Sequence, residues 1–282
     1  MLIKKPIGGG DMPHLFSYRD NELYSHHTVD LHPDPEDFSM HAHDWMEIYY
    51  FISGNGTYLV EGNQYPIRPH DILILRPAET HKLSIDPSEP YERIAIHFSP
   101  SLLQPLDPEQ RLLKPFLDRP LGQQNYYPAE SDPEGHLRTA FSDFNFDQVP
   151  DIRLNLLARL LLFLTSLCGV YEQSTHPLPA QGLQSMVVAY VNEHLFEPIS
   201  LQSVADHFYR SRSQISRIFQ QATGSPLWEY VTIKRLLAAR AMIQRGESAG
   251  AACIACGFSD YSSFFRAYRA RFQHSPREDA PQ

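Results

Sequence analysis

Residues 41–47 read His-Ala-His-Asp-Trp-Met-Glu, an HxHxxxE run with six residues before Gly54. On a strand, alternate side chains share a face, so His41, His43, Trp45, Glu47 and Tyr49 would line one side. Imidazoles beside a carboxylate can ligate a divalent metal, hydrogen-bond a polar ligand, or satisfy one another inside a core. His81, closing the run Pro77-Ala78-Glu79-Thr80-His81, can return another imidazole to the same place. Trp45 and Tyr49 add the aromatic platform that a carbohydrate needs beside polar groups. Three roles stay open. The six residues His41, His43, Trp45, Glu47, Tyr49 and His81 line an effector pocket; or His41, His43, Glu47 and His81 hold a metal; or the histidines are structural. Arg93 and His97, alternating along a later strand, are secondary lining positions. No glycine-rich phosphate loop is present.

A second chemistry sits near the C-terminus. Two helix pairs repeat one layout, a short helix, a tight turn, a small capping residue and a helix with basic groups: 201–208 then 211–221, and 248–256 then 259–271. A helix-turn-helix needs such a short connection, because its first helix braces the second across the DNA backbone. In the first pair Ile215, Ile218 and Phe219 form the buried face, leaving Arg212, Ser213, Ser216, Arg217 and Gln220 outside. In the second, Phe264, Tyr268 and Phe272 follow an i, i+4, i+8 stripe, and Tyr261, Ser262, Phe265, Arg266 and Arg269 point away. From residue 179 onward arginine outnumbers lysine ten to one, Lys234 being the exception. Arginine's planar fork suits phosphates and the guanine edge.

The elements that must position these groups divide the chain. Its 282 residues carry a net charge of −9, which alone argues against a nucleic-acid partner, but residues 1–178 hold −12 and residues 179–282 hold +3. Seventeen of 23 prolines precede residue 151, where few long helices survive. Short β-rich runs at 46–52, 57–60, 71–75, 81–85 and 93–98, separated by turn signals, predict an antiparallel sandwich or barrel. Helices are expected at 108–117 and 134–146. A strong one follows Asp151, with Leu154, Leu157, Leu161, Leu164 and Cys168 as a seam against its own barrel or a second subunit, and Leu156, Leu160, Leu162 and Leu167 widening the apolar face for packing on the barrel. Residues 174–179 form a helix-breaking boundary, and six helices follow, with caps at Ser200 and Ser211 and a capping residue at Ser259 before the last. The apolar run 154–170 is short for a membrane span and contains Asn155 and Arg159. Three cysteines give no disulfide framework, and Cys253 and Cys256 lack the partners of a zinc or redox site, so a soluble cytoplasmic protein is expected.

Residues 211–224, Ser-Arg-Ser-Gln-Ile-Ser-Arg-Ile-Phe-Gln-Gln-Ala-Thr-Gly, closely resemble the first recognition helix of AraC-family transcription regulators. Gly257-Phe258-Ser259-Asp260 with Phe264, Arg266, Tyr268, Phe272 and Ser275-Pro276 resembles that family's second-helix signature, so the likeness spans about residues 183–278. It implies a seven-helix unit whose two recognition helices enter successive major grooves. Ser213, Ser216, Arg217, Tyr261, Ser262, Phe265 and Arg266 would contact bases. Arg212, Arg269 and the helix N-termini at Ser211 and Ser259 would hold phosphates. Departures are Tyr209 and Gln273 where glycine is usual, Ala249 and Ala252 for larger aliphatics, and Asp279 for an aromatic. The HxHxxxE segment resembles cupin motifs, whose three His and one Glu can hold Mn, Fe, Ni or Zn, and it recurs in sugar-sensing domains of AraC-type regulators.

The fold class expected is therefore multi-domain β + α. A cupin-like antiparallel barrel spans 1–100 with an N-terminal arm, a helical linker and dimerisation segment spans 101–175, and an all-α double helix-turn-helix spans 180–282. The expected function is a DNA-binding regulator, not an enzyme, that needs no cofactor and answers to a small molecule of the carbohydrate class. Its expected partners are double-stranded promoter DNA, a second copy of the chain and RNA polymerase, with no membrane. The competing readings are a metal-dependent cupin enzyme and a ligand-independent regulator whose barrel only dimerises.

Overall fold

A computed structural model describes residues 14–146, 149–173 and 182–281. The N-terminal arm and the boundary at 174–179 lie outside the described residues.

Nine strands build two antiparallel sheets. The larger has the order β1 (His14–Arg19), β2 (Leu23–Asp30), β8 (Tyr91–Phe98), β3 (Met46–Ser53), β6 (Ile72–Leu75) and β9 (Tyr126–Tyr127). The smaller runs β5 (Asn63–Ile67), β4 (Gly56–Val60) and β7 (His81–Ile85). All five expected runs are strands; β1, β2, β5 and β9 escaped the periodicity. β2 reads Leu-Tyr-Ser-His-His-Thr-Val-Asp, with little apolar alternation to detect. β5 contains Pro66, which a sheet tolerates here because β5 is an edge strand.

Alternation along the strands sorts two cores. Met46, Ile48, Tyr50, Ile94, Ile96 and Phe98 face one side of the large sheet, together with residues from the helices that follow it. Tyr49, Phe51, Leu73, Leu75 and Tyr91 face the other and pack against Tyr58, Val60, Leu83 and Ile85 of the small sheet.

The helical segment folds onto the first of these cores. Residues 108–117 supply only a 3-10 turn and α1 (Lys114–Leu117), and 134–146 only α2 (His136–Thr139). Left-handed backbone at Gln110, Gly135 and Asp143 interrupts both runs. In α3 (Ile152–Gln173) Asp151 accepts from the Leu154 amide, as a cap should. The fully buried stripe is Leu156, Leu160, Phe163, Leu164 and Leu167. Of the expected seam only Leu164 is fully buried; Leu157 and Leu161 pack at the core's margin, and Leu154 is 63% exposed. The helix meets the sheet's apolar side through positions 156, 160, 163, 164 and 167 rather than through the heptad stripe. By length and composition α3 could cross a membrane, yet one face is buried against the sheet.

Six α-helices follow: α4 (Leu183–Glu193), α5 (Leu201–His207), α6 (Arg212–Thr223), α7 (Leu227–Gln244), α8 (Ala249–Ala255) and α9 (Tyr261–Phe272). A 3-10 turn, Pro276–Asp279, ends the described residues where the resemblance implied a seventh helix. Ser200 and Ser211 cap as expected and Ser248 caps α8 as well, but Asp260, not Ser259, caps α9 by accepting from the Ser263 amide at 2.7 Å. A carboxylate there also complements the helix dipole. Cys253 is buried within α8 and Cys256 is buried at its C-terminal cap.

Both non-glycine departures sit in left-handed backbone, Tyr209 at φ 52° and Gln273 at φ 66°. Side chains pay for that conformation in steric strain, where glycine does not. Gln273→Gly should therefore raise stability by about 1 kcal/mol, read as a higher Tm, while Gln273→Ala should give no such gain.

Candidate effector pocket and DNA-reading face

The HxHxxxE run is not one strand. Residues 39–45 approach β3 as irregular chain, tied by a two-bond bridge in which His41 and His81 exchange backbone N–H and C=O at 3.1 and 2.9 Å. The alternation argument thus fails for 41–45, yet the bridge delivers the same gathering. His43 Nε2 lies 2.9 Å from Glu47 Oε2, His81 Nε2 3.3 Å and His97 Nδ1 3.9 Å. Donor atoms of His41, His43 and His81 lie within 4.8 Å of one another, as do those of His43, Glu47 and His97. The expected quartet is thus two overlapping trios, with His97 as a fifth member. Tyr49 stands deeper, its ring 5.0 Å from Tyr58 and its hydroxyl bonded to that of Tyr91. Trp45 is half-buried in the bend before β3, and among the described residues no ring stacks on it.

Three imidazoles share one arrangement. Nδ1 of His41 donates to the Ser39 carbonyl, that of His43 to Trp45 and that of His81 to Glu79, at 2.9–3.0 Å. Each bond fixes the tautomer and leaves Nε2 for the cluster, the orientation a metal-ligating histidine takes. Burial opposes charge on Glu47, but His97 and the bonds from His43 and His81 hold its carboxyl well below the usual range. Burial, with His81 and His43 nearby, pushes His41 down to about 3, and burial pushes His97 down to about 4. Both rings are neutral at pH 7 and can offer lone pairs.

Cross-strand pairing extends this interior face in rows. Glu47 and Tyr24 flank His97, Tyr49 and His26 flank Ala95, and Phe51 and Thr28 flank Arg93. Arg93 is 8% exposed, lies over the Tyr91 ring at 5.0 Å and has no hydrogen-bond partner at Nη1. The hydroxyl of Thr28 opposite is also buried and unpaired.

On the helical half, Arg212, Ser213, Ser216 and Arg217 are exposed on α6, while Ile215 and Phe219 are buried beneath them. Ser213, Ser216, Arg217, Gln220 and Gln221 line a surface depression. On α9, Tyr261, Ser262, Arg266 and Arg269 are exposed, Phe265 is half-buried, and Phe264 and Tyr268 form the core face. Arg266 donates to the Ser263 hydroxyl at 3.1 Å.

The two halves meet through groups that no local pattern announced. Glu61, at the β4–β5 turn, is 3% exposed and accepts from Lys234 Nζ at 2.5 Å, Asn192 Nδ2 at 2.9 Å and the Tyr230 hydroxyl. Thr80 donates to it through its amide and its hydroxyl. Lys234 also donates to the Ala78 carbonyl. Nearby, Arg240 reaches Asp44 at 2.5 Å, Arg271 donates to the Ala42 carbonyl at 2.9 Å, and Met40 packs against Gly224. Asp279 holds Arg240 from the other side and accepts from the Tyr268 hydroxyl. The partners lie 173 and 196 positions apart, so the only hint in the sequence was a lone lysine in an arginine-rich half.

Comparisons agree with this architecture. Residues 24–125 match the model of an AraC-like ligand binding domain, and residues 204–280 match a helix-turn-helix domain. The HTH-type transcriptional activator RhaS of Escherichia coli K12 is 24% identical over 246 residues, covering 86% of this chain and 87% of that protein. Among solved structures, ToxT from Vibrio cholerae is similar over 92% of this chain and 97% of its own, at 12% identity and a TM-score of 0.40. An AraC-type regulator from Chromobacterium violaceum is 33% identical over 33% of this chain and 84% of its own, with a TM-score of 0.31. A ligand-binding β domain followed by a helix-turn-helix unit makes this chain a DNA-binding transcription regulator and not an enzyme, and it belongs to the AraC family.

Proposed function

We propose that this regulator reads promoter DNA through Ser213, Ser216 and Arg217 of α6 and Tyr261, Ser262, Phe265 and Arg266 of α9, with Arg212 and Arg269 on phosphates. A small hydroxylated effector of the carbohydrate class binds the barrel at His41, His43, Glu47, Tyr49 and His81, with His97 joining them. The observation that carries the reading is the segment 40–44, which supplies two of those imidazoles and also touches α7 and α9. An effector that moves this segment changes how the reading helices are held. Residues 1–100 then act as sensor, 101–175 as linker and 180–282 as reader, in a cytoplasmic homodimer that works with RNA polymerase. Exposed Leu154 and Leu162 on the outer face of α3 favour pairing there.

The fixed Nε2 orientation favours one addition, a divalent metal held by His41, His43 and His81 with Glu47 alongside, or by the overlapping trio His43, Glu47 and His97. Such an ion would supply a Lewis-acidic anchor for an effector hydroxyl. Elemental analysis of protein purified without chelator should return about one equivalent of metal, and less than a tenth of an equivalent would remove the ion from the pocket.

Operator affinity tests the reading face. Arg217→Ala and Arg266→Ala should each cost about 1–3 kcal/mol in binding and relax preference at one base pair, as fluorescence anisotropy on an operator series will show. Unchanged affinity in both would exclude these side chains from readout.

The junction has its own test. Lys234→Met strands the Glu61 carboxylate among buried groups and should destabilise the protein by about 3–5 kcal/mol in denaturant unfolding. Glu61→Leu combined with Lys234→Met should recover part of that loss, because no unpaired charge is left behind while the Thr80 amide and hydroxyl lose their acceptor.

A further inference from the structure

Among the described residues, the barrel buries a cation, Arg93, with no carboxylate paired to it. Arg93 stays protonated at any working pH, and removing a guanidinium from water is costly unless an anion and hydrogen bonds compensate. Its surroundings are neutral: the Tyr91 hydroxyl accepts one N–H, and the Tyr91 and Phe38 rings lie at 5.0 and 5.9 Å, which attract a cation but carry no charge to balance it. Among the described residues no carboxylate lies within ion-pair distance, and Nη1 is sealed from solvent without a partner. Directly across the ladder, the Thr28 hydroxyl is sealed and unpaired as well.

Two orphaned polar groups on facing strands are rare in a folded interior and mark a missing partner. One row along, Ala95 offers only a methyl, and beyond it lie His97 and Glu47. The face therefore runs from a cationic end at Arg93 and Thr28, across a small residue, to the His/Glu cluster. A single guanidinium balances one negative charge, and the anionic Glu47 at the far end disfavours a second.

We propose that Arg93 and Thr28 form a carboxylate subsite, and that the effector is a sugar acid whose hydroxyls engage the His/Glu cluster. This rests on the carbohydrate reading above and narrows it. One carboxylate oxygen accepts from Arg93 Nη1 and the other from the Thr28 hydroxyl, so both orphans are satisfied and the buried charge is neutralised.

Calorimetric titration of the full chain with galacturonate and glucuronate, against galactose, glucose and the methyl ester of galacturonate, tests it. At least one acid should bind, with its neutral parent and ester about 10- to 100-fold weaker, the worth of a charged hydrogen bond. Arg93→Gln should weaken the acid by a similar factor and bring the acid-to-neutral ratio close to one, while Arg93→Lys should retain part of the preference. Should Arg93→Gln fail to fold, the acid-to-ester comparison on the wild type and Arg93→Lys decide the matter. Neutral sugars binding as tightly as their acids, in wild type and variant alike, would overturn the carboxylate subsite and leave the carbohydrate reading standing. Binding by neither series would overturn both.

Discussion

The relation between sensor and reader hangs on one buried carboxylate. Glu61 gathers donors from Thr80 on its own half and from Asn192, Tyr230 and Lys234 on the other. An ionised group so removed from water is tolerable only when donors replace the lost hydration, and here α4 and α7 provide three of them. The arrangement is directional. Sliding α7 by one turn would take Lys234 and Tyr230 away together and expose the carboxylate to apolar neighbours. Hydrophobic contact could join the halves in many registers, whereas this charge selects one.

The sheet lets a single set of strands serve two masters. On β3 and β8 the even-numbered residues Ile48, Tyr50, Ile94 and Ile96 build the core that receives α3. The odd-numbered Glu47, Tyr49, Arg93 and His97 face the small sheet and form the polar interior. Period-two alternation keeps these tasks apart, so pocket chemistry can vary without disturbing the helix packing. Met46 and Phe98 close the end of the apolar side, while His43 and His97 lie next to them on the other.

Much of this was legible in the sequence because it is local. Five strands, the Ser200 and Ser211 caps and the core faces of α6 and α9 follow from spacing and capping chemistry within a few residues. The gathering of His41, His43, Glu47 and His81 was also anticipated, though for a partly mistaken reason. The chain at 41–45 reaches the site through a bridge to His81 rather than through strand alternation. What spacing could not reveal is non-local: the sheet order that puts β2 beside β8, which of the two leucine rows on α3 meets the sheet, and Glu61 meeting Lys234 across 173 positions. Ser259 gave way to Asp260 as a cap because both are good caps and only backbone geometry separates them.

Residues 40–44 carry contacts on two sides, imidazoles inward and Asp44, the Ala42 carbonyl and Met40 outward to Arg240, Arg271 and Gly224. Coupling through such a shared segment is reciprocal by thermodynamic necessity. If a bound small molecule alters the grip on DNA by some factor, bound DNA alters the grip on the small molecule by that same factor. The concentration at which the sensor responds is then not a property of the barrel alone. It differs between protein free in solution and protein on a promoter, so each regulated site in a genome can set its own threshold for the same signal.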